Sequence, residues 1–138
     1  MSRSPLTPPL VEHLYRRLPT FVQRAFSSVR VHDKKVSAHT LRSKFKQAEN
    51  AVAEFKQHTK AWIRDVDEKM ERLGMERVDR SNPEEADEFL RNVGQTTLEK
   101  KSLREALIYV ADSELTRLMH AIEERERGPM QEADAHDR

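Results

Sequence analysis

Histidines and carboxylates are the side chains of this chain with the widest chemical repertoire, because it contains no Cys. The histidines are His13, His32, His39, His58, His120 and His136. No two stand at the i, i+4 spacing that sets a pair of imidazoles on one helical face, and HExxH is absent. Solvated surface positions account for them. Three glycines, far apart, cannot build a loop that cradles phosphates. Acidic clusters occur at Asp65, Asp67 and Glu68 and at Glu123, Glu124 and Glu126. They alternate with Lys and Arg at helical spacing, the pattern of a solvated, salt-bridged face. A general acid–base pair needs a pocket that excludes water, and two or three thin helices do not readily build one. The expectation is a protein that is not an enzyme, with no cofactor and no metal.

The cations carry more information. Net charge over the 138 residues is +1, but residues 1–35 are net +5, residues 36–75 net +2 and residues 76–138 net −6. A basic N-terminal third on a near-neutral chain points to an anionic partner, a membrane surface or nucleic acid. Lys44, Lys46, Lys56, Lys60 and Arg64 extend the basic character along a polar helix side. They serve either as a solubilising face or as a contact with anionic lipid, at about 1 kcal/mol per basic group. Nucleic acid is the weaker choice, and none is expected, because the basic region lacks clustered exposed aromatics.

The elements that must carry these groups follow from composition. Charged residues make up 36% and hydrophobic residues 36%, with three Gly and six Pro; the mean hydropathy is −0.86. Many charges and few turn residues suggest long helices, each burying a narrow stripe. No apolar run approaches the roughly 20 residues a membrane-spanning helix needs. Missing cysteines fit an intracellular setting weakly.

Residues 1–9 contain three prolines and read as a disordered tail. Residues 10–31 read as an amphipathic helix. Leu10, Val11, Leu14, Tyr15, Leu18, Phe21, Val22, Ala25, Phe26 and Val29 fall in an arc of about 160° at 100° per residue. Glu12, Arg16, Arg17, Gln23 and Arg24 lie opposite. Pro19 should kink or split the segment near Leu18. After a polar link, His32 to Ser37, a long helix is expected from Ala38 to Met75. Leu41, Phe45, Ala48, Val52, Phe55, Thr59, Trp62, Val66, Met70 and Leu73 recur there at steps of four and three, a heptad-like stripe. Such a helix would reach about 55 Å, and its stripe needs a partner helix. A break at 76–85 offers Ser81 or Asn82 as cap, Pro83 at the first helical position and Glu84 and Glu85 in the first turn. A second long helix is expected from Pro83 to Arg127, with an interruption near Gly94-Gln-Thr-Thr-Leu. Gly128-Pro129 should end it, leaving 128–138 as a disordered tail. The stripe residues Phe45, Val52, Phe55, Trp62, Val66, Leu107, Leu118 and Ile122 are the expected helix-packing positions.

Three readings of residues 10–31 stand open. The segment lies in a membrane interface, or is an organellar presequence rich in Arg and Ser, or is an ordinary helix packed on the long ones. In the first reading Leu10, Leu14, Leu18, Phe21, Val22 and Phe26 insert, while Arg16, Arg17, Arg24, Arg30, Lys34 and Lys35 meet headgroups.

Three stretches resemble a known family. They are the proline-interrupted amphipathic segment with Arg17-Leu18-Pro19 and Phe26, the link HDKKVS, and the helix reading Phe45-Lys-Gln-Ala-Glu49, Val52, Phe55, Thr59-Lys60-Ala61-Trp62-Ile63, Val66 and Met70. In this the chain resembles the N-terminal part of a BAR domain of the amphiphysin/Rvs type. The likeness covers residues 10–73 and, loosely, 86–127; the family's third long helix is missing. The resemblance implies a membrane-curvature module, a partial BAR-like hairpin over 38–127, a role in endocytosis or actin organisation, and association with another BAR-like chain.

The sequence reading is therefore an all-α protein with an N-terminal amphipathic helix and a long antiparallel helical hairpin. Two helices with a narrow stripe expose apolar surface, so self-association is expected. The expected role is peripheral attachment to anionic membrane lipids from the cytoplasmic side. The alternative is an imported mitochondrial structural subunit of a large complex, with residues 1–28 as presequence.

Overall fold

The computed structural model describes residues 7–76 and 83–136, and among these every regular element is a helix. Four occur in order: α1 (Pro8–Arg16), α2 (Thr20–Ser27), α3 (Ala38–Glu76) and α4 (Pro83–His136). Among the described residues no helix is long and apolar enough to cross a membrane.

Pro19 divides the amphipathic segment as its chemistry requires. It lacks an N–H and clashes with the preceding helical turn, so α1 ends at Arg16 and α2 begins just after the proline. Pro8 opens α1, where a missing N–H costs nothing, and Thr7 caps it by accepting from the Leu10 amide at 3.4 Å. Helix therefore starts inside the stretch read as a disordered tail; residues 1–6 of that stretch lie outside the described residues. The segment also leaves helix earlier than expected: residues 28–37 form turns, tied by Asp33 N–H to the Arg30 carbonyl and Val36 N–H to the Asp33 carbonyl, both at 3.1 Å. Ser37 then caps α3, its Oγ accepting from the Thr40 amide at 3.1 Å.

Two expectations for α4 need correction. The helix passes without interruption through Gly94, and it runs beyond Gly128-Pro129 to His136. No described glycine takes a positive φ, so neither Gly94 nor Gly128 forms the left-handed turn that ends a helix. Thr96 Oγ1 donates to the Asn92 carbonyl one turn back at 3.0 Å, which a helix accommodates. Pro129 in a helix interior costs about 3 kcal/mol, but the Met-Gln-Glu-Ala sequence after it favours helix. The proposed caps Ser81 and Asn82 and the end of the chain after His136 lie outside the described residues.

The long helices pass through two compact units. Unit 1 comprises α1, α2, α3 up to Phe55 and α4 from Leu107. Its core is Leu14, Leu18, Val22, Phe26 and Val29 from the N-terminal segment, Leu41, Phe45, Ala48, Val52 and Phe55 from α3, and Leu107, Val110, Ala111, Leu118 and Ile122 from α4. Unit 2 is Lys56–Ala106. Here α3 and α4 run antiparallel: the Arg104 guanidinium lies 4.4 Å from the Trp62 ring centre, Lys101 Nζ 2.6 Å from Asp67 Oδ1, and Gly94 opposite Met70. Trp62 and Val66, two of the expected packing residues, are only half-buried.

Two measurements probe this packing. Leu18, 3% exposed, sits in the tight turn between α1 and α2; Leu18→Ala should lower unfolding free energy by about 2–5 kcal/mol in urea titration. Gly94 is helical, and an added Cβ would lie 3.8 Å from Met70 Cε, an ordinary contact. Gly94→Ala should therefore stabilise the chain by about 0.5–1 kcal/mol, read as a higher unfolding midpoint.

Candidate basic surface of the N-terminal helices

The apolar and basic sides of α1 and α2 meet different fates. Of the six residues expected to insert into lipid, Leu14, Leu18, Val22 and Phe26 are between 0% and 5% exposed, held in the unit 1 core. Leu10 and Phe21 are exposed, at 41% and 37%. The arrangement is the third of the open readings, a helical segment packed on the long helices. Tyr15 completes the packing, its ring stacked on Phe26 with centres 5.9 Å apart. Burial raises the Tyr15 hydroxyl above its ordinary pKa, and nearby Glu114 adds to the shift.

Arg16, Arg17, Arg24, Arg30, Lys34 and Lys35 are all exposed. Arg16 is bound to Glu12 at 2.7 Å one turn away, a solvent-facing pair that contributes little. Arg24 and Arg30 instead line one open cavity of about 440 Å³ with Thr20, Gln23, Ser27 and Ser28. No carboxylate is in that lining. Gln23 closes the α1–α2 turn, its Nε2 donating to the Leu18 carbonyl at 2.7 Å and the Arg16 carbonyl at 3.0 Å. Ser28 Oγ donates to the Ala25 carbonyl at 2.6 Å. The two guanidiniums and the Thr20 hydroxyl thus supply the donors for an anion there. A neighbouring cavity of about 540 Å³ shares Arg30 but includes Asp33, Glu114 and Arg117. Its mixed charge suits an anion less well.

Lys34 and Lys35 are displayed on a turn that the protein fixes from behind. Arg125 of α4 donates to the carbonyls of Lys34 at 3.0 Å, Val31 at 3.5 Å and Val36. One guanidinium satisfies three carbonyls that no helix or sheet serves. Beside it, Arg42 and Glu126 form a two-pronged pair, Nε to Oε2 at 3.0 Å and Nη2 to Oε1 at 2.5 Å. Sequence reasoning missed both, since partners more than 80 positions apart leave no local signal. Thr20 falls on the polar side with Arg24 in the sequence pattern, four residues before it on one helical face. Among the described residues no group of three His, Cys, Asp or Glu side chains converges in a metal-holding arrangement.

The Arg42–Glu126 pair links stability to pH. Hydrogen bonding from Arg42 holds the Glu126 carboxyl below the ordinary glutamate value of 4.5, and the guanidinium charge acts in the same direction. A depressed folded pKa gives stability that is present above the unfolded value and lost as pH falls through the folded one. Glu126→Gln should lower the melting temperature at pH 7, and the difference from the parent should shrink steadily as melts are repeated below pH 4.5.

In comparisons with known proteins, the chain matches no family model, no curated protein and no solved structure, and nothing in them identifies a BAR domain.

Proposed function

We propose that this chain is a non-enzymatic peripheral membrane protein that attaches to anionic lipid through the basic side of α1, α2 and the turns that follow. The observation that carries the reading is the convergence of Arg24 and Arg30 on a cavity free of carboxylates. Arg17, Lys34 and Lys35 are exposed on the same N-terminal segment. Each basic group near an anionic surface contributes about 1 kcal/mol, so five act together as a binding surface.

Energetics favour a shallow mode. Burying Leu14, Leu18, Val22 and Phe26 contributes about 1.5–3 kcal/mol per side chain. Moving them into acyl chains would exchange one apolar surrounding for another and leave the unit 1 core open. Leu10 and Phe21 need no such exchange, being exposed already. In this reading those two residues touch the interface, and any sensitivity to curvature follows from them alone. The presequence alternative gains no support from the packing, because removing residues 1–28 would take four core side chains with it.

Co-sedimentation of the full chain with vesicles containing phosphatidylserine, against neutral phosphatidylcholine vesicles, tests the proposal. Binding should require the anionic lipid and weaken between about 50 and 500 mM salt, as screening lengths shorten. Replacing both Arg24 and Arg30 by Gln should weaken it by about 30-fold, the equivalent of about 2 kcal/mol. A soluble, helical full chain that ignores anionic vesicles at low salt would overturn the reading.

A further inference from the structure

We infer, resting on the same reading of this segment as a surface for anionic lipid, that the cavity of Arg24 and Arg30 selects a phosphate monoester. That group is exposed on phosphatidic acid and on soluble glycerol and sugar phosphates. Helical spacing builds most of the site. Thr20, Gln23, Arg24 and Ser27 stand at i, i+3, i+4 and i+7 of α2, and Ser28 and Arg30 join them just after the helix. Every side chain lining the cavity is polar or cationic. Its volume of about 440 Å³ suits a small ligand, and the missing apolar lining favours a charged one.

The two guanidiniums are uncommitted. Among the described residues, Arg16, Arg42 and Arg117 hold carboxylates and Arg125 holds backbone carbonyls, whereas the side chains of Arg24 and Arg30 hold neither. Two carboxylates share the neighbouring cavity with Arg30, and both are engaged elsewhere. Glu114 accepts two bonds from Arg117, at 2.6 and 2.8 Å, and Asp33 accepts from the Lys35 amide at 3.0 Å. The carbonyls at the end of α2, which would repel an anion, are covered as well. Ser28 N–H donates to the Arg24 carbonyl at 3.1 Å, Ser28 Oγ to the Ala25 carbonyl at 2.6 Å, and Val29 N–H to the Phe26 carbonyl at 3.0 Å.

A phosphate monoester matches these donors better than other lipid anions do. It carries a charge of about −1.5 to −2 at pH 7 and presents three terminal oxygens. Those oxygens can accept a two-pronged bond from each arginine and a further one from the Thr20 hydroxyl. A serine headgroup instead presents a phosphodiester with a single negative charge, and it brings an ammonium group that two guanidiniums repel.

Co-sedimentation of the full chain with two kinds of vesicle tests this selection. One contains phosphatidic acid and the other phosphatidylserine, each in phosphatidylcholine at mole fractions that give the same zeta potential. The parent should bind the phosphatidic acid vesicles at least about tenfold more tightly. Arg24→Lys with Arg30→Lys keeps the charge but removes the planar fork, and should bring the two affinities within about twofold of each other. Thr20→Val should lower the preference by about threefold. Circular dichroism checks that each variant stays helical. Glycerol 3-phosphate as competitor separates the two sources of the group. Release from the vesicles at about 0.1 mM competitor assigns a soluble ester, and a preference that survives about 10 mM assigns the lipid. Either result upholds the phosphate monoester. Equal binding to both vesicles, with no release by the competitor, overturns it and leaves attachment to anionic lipid standing. A preference that persists in the double lysine variant also overturns it, since charge alone then accounts for the binding. Binding to neither vesicle overturns the attachment instead. Calorimetric titration with glycerol 3-phosphate then decides the site, and no saturable binding at about 10 mM overturns it.

Discussion

A pair of packed helices encloses few side chains and hardly any large apolar one. Each helix offers one stripe, and the two edges of the seam between them stay open to water. The structure answers this constraint differently in its two units. In unit 1 the short helices α1 and α2 add a third and fourth apolar surface, and all fifteen buried hydrophobic residues of the described chain lie there. In unit 2 no further helix among the described residues adds that cover, and its stripe is only half-buried. Whether a residue of the long stripe is core or surface depends less on its type than on whether a further helix lies over it.

The same constraint bears on function. An amphipathic helix has one apolar face, and α1 and α2 have committed most of theirs to Leu14, Leu18, Val22 and Phe26 inside unit 1. What remains for a partner is the polar side, which is strongly basic. Packing also shapes that side. The α1–α2 turn, held by Gln23, and the turns after α2, held from α4 by Arg125, set Arg24 and Arg30 about a common cavity. The exposed basic groups and the buried apolar ones thus occupy opposite faces of the same helices.

Much of the helical layout was legible from local chemistry. Pro19 had to divide the N-terminal segment, because its ring and missing N–H are intrinsic to the residue. The steps from Leu41 to Phe55 had to lie on one face, because 3.6 residues per turn is fixed. Gly94 and Gly128 misled for a related reason. Glycine permits a left-handed turn without requiring one, and only the surroundings decide; beside Gly94 lies Met70 of α3. Trp62 misled in another way. Its spacing marks a seam, yet its ring carries the Arg104 guanidinium and is only half-buried.

By itself, the sequence determined the helical class, the start of each long helix, the split at Pro19 and the basic character of the N-terminal third. These depend on residue type and near neighbours, which a one-dimensional pattern records in full. Tertiary structure alone decided that Leu14, Leu18, Val22, Phe26 and Val29 pack into the unit 1 core while Leu10 and Phe21 stay exposed. It also decided that Arg24 and Arg30 share a cavity, that Arg125 holds the turns after α2, and that Glu126 meets Arg42. The reason is physical. Hydrophobic attraction is non-directional, so a stripe reveals that it must be covered without revealing by what. A contact between residues more than 80 positions apart is set by the packing of whole helices, and no local pattern encodes it.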